Sequence, residues 1–572
     1  MTWNDGLATA RPNVPTGPTV PQGVPLWPAG GQNPPQQGLK LGAWRLDCAN
    51  ASHMAGLTYA FLVFHLLLWT VLATLSHRAP PWDNIEQLVW QQSLEWGYYK
   101  HPPFPTWWVH GWTELLGRKM WVTFFSAQLS VVLMQLFIWR IALMVTTPAR
   151  AFASVVLSSL AIYHGVHGIM ANHNTLQLMP VGLLLWLTLR AVRGEGSAGQ
   201  VWRWALVGAA AALCLLSKYS ALIWLAVIGL WLLQDARMRS WRAWGGVALA
   251  LLVCVLLVSP HISWLTQEGS PGLNYAGRAI QGQNDPDQID HWGRLAKFWV
   301  IQFGRVLPIF LGLGLMLALL RRANKKVGQA VDEAAHPVLD PAGERLSASS
   351  EWRFVLFMGL GPMLLTTVLG VLGVRLGSAW AATYFVMAGI LALACLPLKP
   401  PSASPQFVRS VLWAGIVLEV LLALGMALGS GWLADLTGRG ARSNFPAAKL
   451  ARQLDRVWEA QATTPLRVVV GETWLAGNVS VRSKYQPLVF IEADTQKSPW
   501  IKPHMLEDCG ALIVVDGRDL AEPMPAAMRE LLDRAEASGR VKLHWTRLAD
   551  RGPQLDVMWA VLPAQRPEAC PR

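Results

Sequence analysis

Eleven apolar blocks, most of them long enough to cross a hydrocarbon core about 30 Å thick, limit what this chain can fold into. They lie near residues 56–76, 121–139, 151–169, 175–192, 203–217, 219–234, 243–262, 298–320, 353–373, 378–397 and 407–428. Inside a bilayer every backbone polar group must find its partner within the protein, so blocks of this length are expected to be helices. Composition agrees: 53% of the 572 residues are hydrophobic and 15% charged, and the apolar residues run together rather than at amphipathic spacing. The fold class expected is a polytopic α-helical membrane protein with about 11 transmembrane helices.

Orientation follows from the short connections. Arg140 with Arg150, Arg190 with Arg193 and Arg203, Arg237 with Arg239 and Arg242, Arg321–Arg322 with Lys325–Lys326, and Lys399 with Arg409 all fall on one side, which should be cytoplasmic. An odd number of spans then places the amino terminus inside and residues 430–572 outside. The net charge of +13 is largely this topological bias, and anionic lipid can meet the rest. No basic-aromatic module of a nucleic-acid binder is present.

The first 50 residues carry eight prolines between Pro12 and Pro35, with glycine and glutamine between them and no apolar signal core. They are read as a disordered cytoplasmic tail, 1–50, ahead of a transmembrane domain, 51–429. Residues 430–572 change character. Strand-like runs at 466–470, 487–493, 511–516 and 557–562 alternate with helical stretches such as 446–461 and 524–538, as in a small α/β domain. No phosphate loop, Ser-His-Asp order or metal motif appears there. Cys509 and Cys570 both fall in this exported part and can pair, whereas Cys214, Cys254 and Cys395 lie in apolar spans as small core residues.

With that topology the polar residues gather on the outside. The loops are Asp83–Pro103, "HGVHGIMANHN" (164–174), "LSKYSA" (216–221), "SPHISWLTQEGSPGLNYAGRAIQGQNDPDQ" (259–288) and "GVRLGSAW" (373–380). Each carries a histidine, lysine or arginine within or beside apolar sequence, on the face where positive residues should be depleted. A single such residue can snorkel to the interface. Five loops together point to one outward-facing anion pocket, beside a loop of carboxylates.

The first of these loops resembles that of the bacterial polyprenyl-phosphate-sugar-dependent glycosyltransferases of the GT-C superfamily, relatives of protein O-mannosyltransferases and lipid A aminoarabinose transferases. In them an Asp, usually followed by Glu, stands about fourteen residues before Gly-Tyr-Tyr and Asp/Lys-His-Pro-Pro. Asp83 and Gly97-Tyr98-Tyr99-Lys100-His101-Pro102-Pro103 match in order and spacing, while Asn84 takes the place of the second acid. "NHN" (172–174), "LSKYSALIWL" (216–225) and "SPHISWLTQEG" (259–269) resemble further segments of the family, and the likeness covers about residues 56–300. It implies a GT-C-like fold, a periplasmic active site and a lipid-phosphate sugar donor.

Transfer from a lipid phosphate needs a base for the acceptor proton and cations for the departing phosphate. Asp83 is the expected base, with an N-cap role as its structural alternative. Glu86, one turn on, is a supporting acid or an exposed helix charge. Lys218, Tyr219, Lys100, His101, Arg278 and Arg375 are the candidates for the donor phosphate, Lys218 foremost because it sits between two apolar spans. Tyr98, Tyr99, Asn172 and Asn174 are expected to line the substrate site. His164, His167 and His173 are not spaced with a carboxylate in a zinc pattern, so neither a metal nor another cofactor is expected.

The function expected is transfer of a sugar from a polyprenyl-phosphate-linked donor to a cell-envelope acceptor at the periplasmic face of a bacterial inner membrane, with membrane lipids as the surroundings. Nucleotide sugars do not fit, because no cytoplasmic dinucleotide-type unit is present. The alternative is a transporter or flippase of a lipid-linked anion, which would show internal repeats and interrupted spans in matching halves. A non-catalytic envelope scaffold would leave the loaded outer loops without a purpose.

Overall fold

A computed structural model of the chain describes residues 39–571, except 42–43, 49, 195–200, 282–290, 329–349, 395–403, 519–523 and 548–551. The Pro-rich stretch 12–35 and Cys395 lie outside the described residues. Folded structure begins before residue 51: β1 (Leu39–Leu41) and β2 (Trp44–Leu46) form a small antiparallel pair, and Cys48 behind it is buried.

The chain is mostly helical. Seven helices among the described residues are long and apolar enough to cross a membrane: Ala51–Ser76, Met120–Val145, His173–Arg193, Trp241–Gln267, His291–Asn324, Ser350–Val371 and Pro405–Leu436. Two shorter apolar helices, Trp202–Ser217 and Ala221–Gln234, occupy two further blocks. Leu251, Leu252, Val255 and Leu256 on one of the long helices are exposed, as a lipid-facing surface requires. Buried polar groups tie some of these helices together. Buried Glu419 accepts from Trp69 Nε1 at 2.6 Å and lies 3.1 Å from His65 Nδ1, tying the first long helix to the last.

Two apolar blocks are not single helices. In 151–169 the helix Pro148–Ser159 gives way to turns. There Ile162 N donates to Arg305 O at 2.9 Å, and His164 Nδ1 lies 2.6 Å from Ser158 O, so the backbone is satisfied by neighbours instead of by its own ladder. In 378–397 a 3-10 segment, Ser378–Phe385, precedes a short helix, Ala388–Ala394. Its first carbonyl accepts from Gln302 and Arg305.

The boundary expected at 429–430 falls within continuous helix, which passes through one π turn (Leu428–Trp432) to Leu436. Gly431 is required there, because a Cβ would meet the carbonyl of Ser76 at the end of the first helix. Beyond it stands a five-stranded sheet of order β4-β3-β5-β7-β6, from β3 (Val468–Gly471), β4 (Leu488–Ile491), β5 (Ala511–Asp516), β6 (Ala537–His544) and β7 (Gln554–Leu562). β3 is parallel to β4 and β5, whereas β7 is antiparallel to β5 and β6. The four expected strands are all present. β6 corrects the expected helix 524–538, which ends at Asp533: an edge strand buried at a single position in eight shows little apolar alternation. Cys509 and Cys570 form a disulfide.

This domain grips the start of the first loop region. Arg78 N donates to Ser443 O at 2.6 Å, Trp474 Nε1 to Pro80 O at 3.5 Å and Val489 N to Gln92 Oε1 at 3.0 Å. Gly477 packs so closely on Ile85 that a Cβ would not fit.

Candidate active site

Pro80 and Pro81 lack backbone donors and fix the chain direction after the first span, and the helix Trp82–Trp90 starts directly behind them. Asp83 therefore sits inside the first turn, and the expected N-cap role is not what it does: Pro81 holds the cap position. A carboxylate here is favoured by the amino-terminal end of the helix. Its Oδ2 accepts from Asn172 Nδ2 at 2.7 Å, and the residue is half-buried.

Glu86 follows one turn later and is buried, which corrects its expected alternative as an exposed helix charge. Its Oε1 lies 2.6 Å from Lys100 Nζ and accepts from Tyr99 OH at 3.5 Å. Burial pushes the Glu86 carboxyl up to about 7 although the Lys100 ammonium pulls the other way. Burial would lower Lys100, but the Glu86 carboxylate beside it carries it above the ordinary lysine range. Lys100 thus remains a cation that is largely committed to Glu86.

Asn84, in the place of the family's second acid, is fully buried. Its amide nitrogen donates to Thr123 Oγ1 at 2.8 Å and to Ile169 O at 3.1 Å, and its oxygen accepts from Ala171 N at 2.9 Å. A carboxylate could not make the two donations. Asn84 pins this helix to the second outer turn, and so sets the distance between Asp83 and Asn172.

The Gly-Tyr-Tyr-Lys-His-Pro-Pro segment folds back over the helix. Tyr98 is buried, stacks on Trp90 with ring centroids 5.1 Å apart and donates to Ser93 O at 2.9 Å. Tyr98 N donates to His101 O at 3.0 Å, closing the turn that presents Lys100 and His101. Pro102 and Pro103 end it and lead into the helix Phe104–Leu116. The His101 ring lies against that of His173, tilted by 38° with centroids 3.6 Å apart, and burial, with the Lys218 and Lys100 charges nearby, holds its imidazole well below the usual histidine range. An imidazole held this low favours the neutral form of His101 while no anion is bound beside it.

The tripeptide Asn172-His173-Asn174 joins the two halves of the site. Asn172 caps the short helix His173–Leu176, its oxygen accepting from Asn174 N and Thr175 N at 3.0 Å while its nitrogen holds Asp83. Asn174 Oδ1 accepts from Lys218 Nζ at 2.5 Å. Lys218 also faces the Trp380 ring at 5.6 Å, and among the described residues no carboxylate lies within ion-pairing distance of it. Tyr219 OH is 3.0 Å from His261 Nε2, and His261 Nδ1 is 2.6 Å from Trp96 O.

Ten of the twelve expected site residues are brought into this network: Asp83, Glu86, Tyr98, Tyr99, Lys100, His101, Asn172, Asn174, Lys218 and Tyr219. Arg278 and Arg375 are not. Arg278 is exposed on the helix Pro271–Gln281, and Arg375 lines a separate recess with His291 and Arg294. His173, His261 and Trp380 were missed as site members. His261 stands next to a proline in the Trp-containing segment already singled out, and is among the ionisable residues of that outer loop.

Comparison with known proteins bears on the family and the fold. The family described as dolichyl-phosphate-mannose-protein mannosyltransferase matches residues 100–264. The chain is 24% identical over 503 residues to the lipopolysaccharide core galacturonosyltransferase RgtA of Rhizobium johnstonii, covering 85% of this chain and 90% of that relative. It is 24% identical over 366 residues to the lipid A galacturonosyltransferase RgtD of the same organism, covering 59% of this chain and 66% of that one. Among solved structures, ArnT from Cupriavidus metallidurans shares the fold. Its undecaprenyl-phosphate-bound form gives a TM-score of 0.53 at 16% identity, covering 88% of this chain and 98% of that one, and its apo form gives 0.54 at 15%. The likeness to GT-C glycosyltransferases is thus supported both by sequence and by fold.

Proposed function

We propose that this chain, a membrane glycosyltransferase of the GT-C type, takes a sugar from a polyprenyl phosphate and attaches it to a lipid-anchored or polymeric saccharide of the cell envelope. The carrying observation is the bridge made by residues 172–174: Asn172 holds the carboxylate of Asp83, and Asn174 holds an ammonium, Lys218, that has no carboxylate partner among the described residues. Base and anion site are thereby set a few residues apart on one rigid turn, as displacement of a phosphate by a hydroxyl requires. Asp83 takes the acceptor proton as the acceptor oxygen bonds to the anomeric carbon. The bond from that carbon to the phosphate oxygen breaks, and polyprenyl phosphate leaves with the electron pair. Lys218 meets the charge that grows on it, with His101 and the Tyr219 hydroxyl as further hydrogen-bonding groups. Glu86 and Lys100 act as a pair that fixes the loop, with Lys100 a secondary phosphate contact.

The two Rhizobium relatives act on lipid A and on lipopolysaccharide core, which supports an envelope saccharide as acceptor here. We place the reaction at the periplasmic face of a bacterial inner membrane, with about 11 crossings and the carboxy-terminal α/β domain outside. The packing of that domain against the helix Trp82–Trp90, at the same end as Asp83, supports this placement. The test is incubation of the purified chain with undecaprenyl-phosphate-linked sugars and envelope saccharides. Release of undecaprenyl phosphate coupled to acceptor glycosylation is expected, and solute flux in liposomes without transfer would favour the transporter.

A further inference from the structure

A cavity of about 300 Å³ opens beside Tyr99, between the first outer loop, the end of the helix Trp241–Gln267 and the carboxy-terminal domain. Its volume is at the low end for small-ligand pockets, about 300–1,000 Å³, which suits one or two sugar rings and not a lipid tail. Tyr99 and Trp264 supply aromatic walls, and Trp264 is held in place by its close approach to Gly97, where a Cβ would collide with it. Around these rings stand Glu95, Glu268, Gln496 and Lys497. Aromatic faces beside carboxylates and an amide suit a pyranose, whose axial C–H groups pack on rings while its hydroxyls donate to carboxylates.

The charge on the wall narrows the ligand. Lys497 is already spent, 2.5 Å from Glu492 Oε2 and 3.7 Å from Asp494 Oδ2, and its ammonium also faces the Tyr99 ring at 5.9 Å. The two lining carboxylates are left to dominate, so a phosphate or an acidic sugar is disfavoured. The turn that carries Gln496 and Lys497 to the cavity is costly: Glu492 and Ala493 are consecutive non-glycine residues with φ of 51° and 59°. Backbone held in this region persists where the surroundings over-determine it, commonly at ligand sites.

We propose that this cavity is the subsite for an uncharged or amino sugar of the acceptor, built jointly by the first outer loop and the carboxy-terminal domain. The inference rests on the glycosyltransfer reading above. Tyr99, which lines the cavity, also donates to Glu86 at 3.5 Å, so a sugar seated there lies one side chain from the helix that carries Asp83 and Glu86. Gln496 and Glu268 then select the acceptor, and the domain is part of the substrate site instead of a docking platform alone.

The test uses the full-length chain in nanodiscs. Thr495 lies exposed on the rim of the cavity, so a Thr495→Cys variant reports occupancy by its rate of alkylation, read at that position by mass spectrometry. Methyl glycosides of mannose and glucosamine should slow alkylation, whereas methyl galacturonide and inorganic phosphate should do so less. Adding Glu95→Gln and Glu268→Gln should weaken that protection by about tenfold or more, as expected for lost charge-assisted hydrogen bonds. No protection by any glycoside, stronger protection by galacturonide or phosphate, or protection undiminished in the Glu95→Gln/Glu268→Gln background would overturn the subsite. Undecaprenyl phosphate affinity, measured on the same preparations, should be the same in all of these variants. Its absence in the otherwise unsubstituted chain would strike at the glycosyltransfer reading, while the protection data would still decide whether the cavity binds sugar.

Discussion

The Lys218 ammonium stands 2.5 Å from the Asn174 side-chain oxygen and faces the Trp380 ring, with no carboxylate among the described residues to neutralise it. Lys218 is half-buried with only neutral partners, and burial pulls its ammonium down to about 7, so the full charge is expensive to keep unless an anion arrives. Lys218→Ala should therefore weaken binding of undecaprenyl phosphate by about ten- to a hundredfold, corresponding to roughly 1.5–3 kcal/mol for a charge-assisted contact. Lys218→Arg should recover part of this, since charge persists while the donor geometry differs. Titration of the three proteins measures it, and equal affinities would remove Lys218 from the site.

Asn84 offers a counter-intuitive test. Asn84→Asp restores the family's second acid, yet it removes both side-chain donations and brings a carboxylate against the Ile169 carbonyl. Thermal unfolding should show destabilisation of about 1–3 kcal/mol or more. Transfer should fall with it, because Asn172 is no longer held opposite Asp83. A variant as stable as wild type and more active would show that the acid, not the pin, is what this position supplies.

The helix, the loop motif and the lysine were legible because each leaves a local mark: apolar length, Pro-Pro punctuation, a charge stranded between spans. Pairings across the fold leave none. Nothing in the order of residues tells that Glu86 meets Lys100, that Asn84 reaches Ile169, or that Arg375 lines a recess with His291 and Arg294. The broken blocks at 151–169 and 378–397 were illegible for a related reason. Their residues are apolar because the bundle buries them, and hydropathy does not distinguish a buried turn satisfied by Arg305 O from a helix.

Glu86 predicts a pH dependence. Burial raises its carboxyl from 4.5 to about 7. Between those values the folded chain binds more protons than the unfolded one, so Glu86 makes stability fall as pH rises through the window. Glu86→Gln lacks this titration. Wild type should therefore gain thermal stability relative to Glu86→Gln as pH is lowered from about 7 to about 5, and a constant difference would place Glu86 at its ordinary value.

The sheet domain should be reachable only from the periplasm. Ser538 is exposed on β6, so a Ser538→Cys variant in intact cells with a permeable outer membrane should react with a membrane-impermeant maleimide. The disulfide between Cys509 and Cys570 fits an oxidising compartment. Labelling only after the inner membrane is opened would reverse the topology.

The central claim is that Asp83 is the base. The decisive measurement is the rate of sugar transfer from undecaprenyl-phosphate-linked donor by Asp83→Asn at saturating acceptor, taken together with its affinity for undecaprenyl phosphate. The amide keeps the size of the side chain and loses the base, so transfer should fall by about 10²-fold or more while phosphate affinity stays near wild type, with Glu86→Gln losing less. Transfer by Asp83→Asn within a fewfold of wild type, or a larger loss in Glu86→Gln, would contradict it.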